Sequence, residues 1–571
     1  MKKKAFQKLT ALLAVTAMSA SLLTGCGSDA SGSNDAATNN AKESTASAGT
    51  QEANSEHPSW ISEDPLEISI MVMDSSQQPM AQDSKSHQAI FEATNVKLDF
   101  QIVPSSSYDE KKNIALSTQN FPDIIYLRSA SDISDFASEG IFEPLTQYIN
   151  EETMPNFYKF WQQYPEMQRY MVDGEMYVFP VVLRDEWANG FGPVIRTDLL
   201  EENGIATPEW AIGFMKEVPT TWDEVLDALA QLKEIYPDST PWAIRKGTAN
   251  LLKTTSYMLG SGFGSVSASS GMYWDEDLGK YVYGPADTNF KEVLKFLNKA
   301  YTTGVLDQEY ATTDSDSMTT KCSSGQSFFF VDNSGFGQNY TNELRKIDGN
   351  ENATFQVLPI PENSLGERRA VSYDTRFGKL YAINANAKNK DQIIKFIDWM
   401  YSMEASDITN YGIEGETFQY NADGEAEYIS DYVKQFKDAS PSDYYACWTD
   451  IGAGKLDFSM YACNIKTQRE IQMITGSWSD LTEDYWKIIN EDDAYVQPHI
   501  APSFTTEEAD RVKELTTDLD TFFTQEYDKY ITGKESIDNW DALIKKAEDM
   551  GVRELEQLWN DAEARAVAET K

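Results

Sequence analysis

Side chains able to grip a polyhydroxylated ligand stand at the ends of several predicted strands in this 571-residue chain. Asp74 and Ser75 follow the alternating run Glu67–Met73, and Arg128 and Ser129 follow Phe121–Leu127. Arg184, Asp185, Glu186 and Trp187 come shortly after Met176–Pro180, and Asp332 and Asn333 follow Phe328–Val331. Ligands of open α/β sheets sit at the carboxyl ends of strands, which singles out these positions. Asp, Asn, Glu and Arg offer paired hydrogen bonds to neighbouring hydroxyls, and aromatic faces offer stacking platforms. Trp242, Trp274, Trp448 and Trp478 are the further candidate platforms. Each has a structural alternative. An Asp after a strand caps helices. An Arg pairs readily among 91 acids, and in a chain with 12% aromatics a Trp more often belongs to a core. The run 184–187 is the strongest local candidate because it mixes both residue classes.

Signals for covalent or metal chemistry are weak. No Gly-x-Ser-x-Gly elbow, phosphate-binding loop or dinucleotide glycine fingerprint occurs. Three histidines and four cysteines form no Cys-x-x-Cys or His-x-x-x-His pair, so no metal and no cofactor is expected. Asp275-x-Asp277-x-Gly279 looks like a calcium loop, but Gly279 fills the fifth position and Ala286 the twelfth. An EF-hand needs oxygen donors at both, so a hairpin turn is the better reading. Glycoside hydrolysis needs two carboxylates at a fixed separation, and adjacent acids such as Glu201 and Glu202 are expected in so acidic a chain.

The elements that would carry these residues alternate between strand and helix. Strands are expected over 67–73, 96–103, 121–127, 176–180, 328–331 and 380–383, with a hairpin across 273–283. Helices are expected over 108–118, 131–138, 287–303 and 390–402, and across 506–568 with breaks at Gly533 and Gly551. This order implies βαβ units and sheets with covered faces.

Charge and the N-terminus bound the setting. The net charge of −43 opposes binding to nucleic acids and to anionic membrane surfaces. Residues 1–25 combine four lysines with an apolar run from Leu9 to Leu23, the pattern of a secretory signal. Leu23-Thr24-Gly25-Cys26 resembles a bacterial lipobox, which implies cleavage before Cys26 and lipid on its sulfur. Cleavage would leave a charge of −47, held at the membrane by acyl chains rather than by electrostatics. Residues 26–58 are low-complexity and read as a flexible tether. Of the other cysteines, Cys447 and Cys463 are closest in sequence, and spacing does not decide whether they pair.

Several phrases, in order, resemble family-1 extracellular solute-binding lipoproteins of ABC importers, in particular the long oligosaccharide-binding branch of Gram-positive bacteria. They are Asn120-Phe121-Pro122-Asp123-Ile124-Ile125, Phe136 to Leu145, Asp173-Gly174-Glu175-Met176-Tyr177-Val178-Phe179-Pro180 and Arg196-Thr197-Asp198-Leu199-Leu200. Thr220-Thr221-Trp222-Asp223-Glu224, Tyr411 to Glu416, and Ile531-Thr532-Gly533-Lys534 with Trp540-Asp541 complete the set. The resemblance implies a two-lobe, type II α/β binding-protein fold, each lobe a mixed sheet flanked by helices. Lobe one would be 60–182 plus 368–430, and lobe two 186–366 plus 431–571, with hinges near 180–185 and 366–370. It further implies a monomeric, non-enzymatic protein on the outer face of the cell membrane. There it would capture an oligosaccharide in the interlobe cleft and deliver it to an ABC permease. A surface glycan-degrading enzyme, or the same fold taking peptides or another polar nutrient, is the alternative. The acidic charge disfavours a uronate ligand unless a local cluster of arginines overrides it.

Overall fold

A computed structural model describes residues 59–74, 80–128, 130–183, 191–205, 221–262, 271–333, 335–371, 377–439, 445–452, 461–462, 464–476, 480–491, 493–496 and 499–569. The signal segment, Cys26, the tether and Cys463 lie outside them.

The first sheet begins with β1 (Leu66–Asp74), β2 (Val96–Pro104), β3 (Ile124–Leu127) and β4 (Val178–Leu183). The second is built on β5 (Phe191–Arg196), and a separate hairpin pairs β6 (Met272–Asp275) with β7 (Lys280–Tyr283). β8 (Phe329–Asn333) and β9 (Phe355–Val357) flank β5, and β10 (Phe377–Ile383) and β11 (Tyr461–Ala462) return to the first sheet.

The first sheet runs β11-β4-β10-β3-β1-β2. β1 pairs in parallel with both β2 and β3, whereas β10 enters antiparallel between β3 and β4, so the sheet is mixed. Every residue of β3 is buried, as expected of a short strand covered on both faces. Asp123, just before β3, accepts the Ser69 N–H at 2.9 Å and its hydroxyl at 2.6 Å, which fixes β3 against β1. The core here combines residues from 66 to 182 with residues from 377 to 405.

β5 is central in the second sheet, antiparallel to both β8 and β9. The Trp222–Ile235 helix starts with a capping box between Thr221 and Glu224, and Thr505 with Glu508 caps the Thr506–Ile531 helix in the same way. C-terminal helices over 506–531, 540–549 and 552–569 complete this core, with Phe523 and Tyr527 packed against Tyr283 and Phe290. The helical run breaks at Gly533 and Gly551, both at positive φ. At Gly551 a Cβ would come within 2.6 Å of Leu515, so glycine alone fits this turn. The β6–β7 turn is the expected hairpin: Asp275 accepts the Leu278 N–H at 2.9 Å, and Gly279 has φ 59°.

A smaller core gathers Tyr411, Phe418, Tyr428, Val433, Cys447, Trp448, Ile451 and Ile471. It leans on the first sheet: Ser86 donates to the Ile451 carbonyl at 2.7 Å, and β11 extends the sheet beside β4. The described residues between 431 and 475, assigned above to lobe two, therefore pack with the first sheet. Val182 packs in the first core and Phe191 in the second, Ala370 in the second and Phe377 in the first, and Ile488 and Ile489, after the Asn464–Thr475 helix, pack beside β5 and β9. Cys322 and Cys447 are buried free thiols. Among the described residues no helix is long and apolar enough to cross a membrane.

Candidate functional site

The carboxyl ends of β1, β3 and β8 bring three of the expected positions into view. Asp74 is half-buried, and its carboxylate accepts the Met80 N–H at 3.0 Å, closing the loop that follows β1. Arg128 is exposed, and its guanidinium meets Asp109 at 2.6 Å. Its backbone N–H donates to Asp132 at 3.0 Å, and Asp132 also accepts Lys112 at 2.6 Å.

Asp332 is buried at the end of β8, and both its oxygens are taken. It accepts Arg245 in a two-pronged pair at 2.6 and 2.9 Å, Asn250 at 3.1 Å and the Asn333 N–H at 2.7 Å. Such a carboxylate positions its neighbours rather than offering an edge to a ligand. The groups it holds are Arg245, whose guanidinium lies 5.0 Å from the Phe336 ring centroid, and Asn250. Asn333 folds back and accepts the Gly335 N–H at 3.0 Å.

Asn250 belongs to the Gly247–Thr255 helix, and Lys253 follows three residues later on the same face. Two left-handed residues, Lys246 with φ 58° and Gly247 with φ 71°, turn the chain into this helix. A Cβ at Gly247 would lie 2.7 Å from the Ala311 carbonyl oxygen, so the turn requires glycine. Thr248 donates to Asp528 at 2.8 Å, anchoring the first turn. The Lys253 ammonium stands 5.9 Å from the Phe191 ring centroid at the start of β5. Burial lowers the Lys253 pKa. Lys246, Arg128 and Arg245 lower it further, against the opposing effect of Asp332. The strand ends of the two cores thus carry two rims of cations, Arg128 after β3 and Arg245, Lys246 and Lys253 beside β8.

The tryptophans divide differently from the sequence expectation. Trp242 is 1% exposed, wedged against Phe329 at 5.3 Å and Phe296 at 6.4 Å, so its ring is core and offers no free face. Trp448 is buried in the small core beside Cys447. Trp274 is half-buried, and one face is stacked on His499 at 4.3 Å and 8°. That ring belongs to a knot in which Arg169 pairs with Glu563 and donates to His499 Nε2 at 3.1 Å. Beside the knot a cavity of about 100 Å³ is lined by Arg169, Asp173, Ser503, Thr505 and Arg565, far below the ~300 Å³ of ordinary ligand pockets. Ser75, Ser129, Arg184, Asp185, Glu186, Trp187 and Trp478 lie outside the described residues. Arg245, Lys246, Asn250, Lys253 and Phe336 were not foreseen. Among the described residues no cluster of three or more His, Cys, Asp or Glu is placed to hold a metal ion.

The chain belongs to the bacterial extracellular solute-binding protein family, whose model matches residues 72–407. It is 23% identical over 81% of its length to the fructooligosaccharide ABC transporter substrate-binding protein FusA of Streptococcus pneumoniae, covering 84% of that protein. It is 22% identical over 82% of its length to the polygalacturonan/rhamnogalacturonan-binding protein YtcQ of Bacillus subtilis, covering 86% of that protein. In fold it is similar to the alginate-binding protein AlgQ2, with a TM-score of 0.68 at 20% identity, covering 88% of this chain and 99% of that one. The expected α/β two-lobe binding-protein class is therefore the class of this molecule.

Proposed function

We propose that this chain is the lipid-anchored capture component of an ABC importer, closing its two lobes on an oligosaccharide and handing it to a membrane permease. The observation that carries the reading is the family match over residues 72–407, with polar side chains gathered at the strand ends, Arg128 after β3 and Arg245, Asn250 and Lys253 beside β8. They present hydrogen-bond donors beside the aromatic rings of Phe191 and Phe336, the chemistry that paired sugar hydroxyls and apolar ring faces require. The family and the relatives named above support a binding role and a carbohydrate ligand. The basic, apolar, Cys26-terminated leader supports export and lipid attachment at the outer face of the membrane. Function is then preferential binding by the closed state, not bond making or breaking.

Calorimetry against a panel of plant and host oligosaccharides tests this. Saturable one-to-one binding, with the sugar recovered intact by chromatography, is the expected outcome. Cleavage products would indicate an enzyme, and binding of peptides without sugars would assign the cleft to peptide capture.

A further inference from the structure

The Gly247–Thr255 helix turns one face into the second core and leaves the other lined with polar and aromatic groups. Thr248, Leu251, Leu252, Thr254 and Thr255 are buried, whereas Asn250 is half-buried and Lys253 exposed. The helical turn continues past Thr255, since the Ser256 N–H donates to the Leu252 carbonyl at 3.0 Å and the Leu259 N–H to the Thr255 carbonyl at 3.0 Å. Asn250, Lys253 and the half-buried Tyr257 therefore share one face. At a rise of 1.5 Å per residue their line is about 10 Å long. No acid occurs between Asp238 and Asp275, so the helix carries no carboxylate of its own.

Both ends of this line are held from outside the helix. At one end buried Asp332 takes Arg245 and Asn250, and Arg245 lies 5.0 Å from the centroid of the half-buried Phe336 ring. At the other end Arg369 donates to the Tyr257 carbonyl at 2.8 Å, pairs with Glu367 at 3.4 Å and stands 4.5 Å from the Tyr257 ring centroid. Each end thus joins a guanidinium fork to an aromatic ring. The line starts at the carboxyl end of β8, where ligands of α/β sheets sit. It finishes where the chain changes cores: Lys253 is 5.9 Å from the ring of Phe191, which opens β5, and Arg369 immediately precedes Ala370, beyond which Phe377 packs in the first core.

We propose that this helix face is a track for an extended sugar chain, with a subsite at each end: Arg245, Asn250 and Phe336 receive one sugar unit, and Tyr257 and Arg369 a later one. The proposal rests on the oligosaccharide reading above and adds a rule for which chain lengths bind. Aromatic rings take the apolar faces of sugar rings, and the neighbouring guanidinium and amide donors fix pairs of hydroxyls. Asp332 holds the donors of one end in place before the ligand arrives, and the Tyr257 carbonyl and Glu367 do so at the other, which lowers the ordering cost of binding. Asp332 is thus a positioning residue, not a ligand contact. A chain that reaches both ends gains its second contact without a second loss of translational freedom, so affinity rises with length. A disaccharide reaches one end only.

The test is calorimetry on the full chain with xylo-, cello-, fructo- and galacturono-oligosaccharides, each from dimer to hexamer. In the series that binds, affinity should rise about tenfold or more between the dimer and the longer chains and then level off. Phe336→Ala and Tyr257→Ala should each remove most of that rise, with Tyr257→Phe keeping it. Asn250→Ala, which removes little packing, should act as Phe336→Ala does, and unchanged melting curves would show that the variants fold. If a sugar binds with an affinity independent of length, or if none of these variants alters the rise, the track fails while the oligosaccharide reading stands. If no sugar of any length binds, both fail.

Discussion

Two charged clusters of this molecule are built differently, the Arg169 knot between the two cores and the rim residues at the strand ends. The Arg169–Glu563–His499 knot takes Arg169 from a segment packed into the first core and Glu563 from a helix packed into the second. Its charges are matched, Arg169 Nε also donates to the Ile500 carbonyl at 2.9 Å, and Trp274 covers the imidazole. In the rim cluster the Arg245–Asp332 pair is buried on its carboxylate side, whereas the Arg128–Asp109 pair is open to water. A closed, satisfied network fixes where two bodies meet. An exposed one at strand ends stays accessible to a polar ligand.

Breaking the knot should have the largest effect on stability. Arg169→Ala leaves Glu563 buried without its cation, and such losses amount to about 3–5 kcal/mol. Chemical denaturation should show it, while ligand affinity of the remaining folded protein stays near the wild-type value. A loss of affinity with little loss of stability would transfer the binding role from the rims to the knot.

Acid offers a second separation. His87 is buried on the Phe100 ring, and burial lowers its pKa from 6.5 to about 4. Below pH 6.5 the unfolded chain takes up a proton that the folded chain refuses. Stability present at neutral pH is therefore lost as pH falls from about 6.5 toward 4, by roughly 3 kcal/mol in all. Melting temperatures across that window should fall, and His87→Phe should flatten the slope. A slope that survives this change would place the acid sensitivity elsewhere in the fold.

Arg128→Ala should have the smallest effect on stability. The Arg128–Asp109 pair is exposed, and pairs of this kind contribute at most about 1 kcal/mol. Its effect should appear as a several-fold loss of ligand affinity instead. A large drop in melting temperature would show that the rim also braces the fold.

Much of this arrangement was legible in the sequence. Alternation located β1 and β2, the continuous apolar run Phe328–Val331 located β8, and Gly533 and Gly551 marked the C-terminal helix breaks at the positions observed. Arg128 and Asp332 stand at the strand ends where the sequence placed them. The strand-end rule missed Arg245, Asn250 and Lys253 because they reach the end of β8 from a neighbouring helix, through Asp332, and adjacency in sequence does not report that. The acid-free span around them was the available signal. The indoles misled for a different reason. Nothing local distinguishes Trp242, sealed between Phe296 and Phe329, from a ring facing a cleft. The placement of 431–475 was hidden too, because β11 has two residues and no periodicity to read.

The central claim is that ligand binds between the rims and not at the knot. Hydrogen–deuterium exchange with and without the sugar selected by calorimetry tests it most directly. Protection should concentrate at the end of β3 around Leu127 and Arg128, at the Gly247–Thr255 helix and at Asp332–Asn333, with little change around Arg169 and Glu563. Protection confined to the Arg169–Glu563 region, with the rims unchanged, would contradict it.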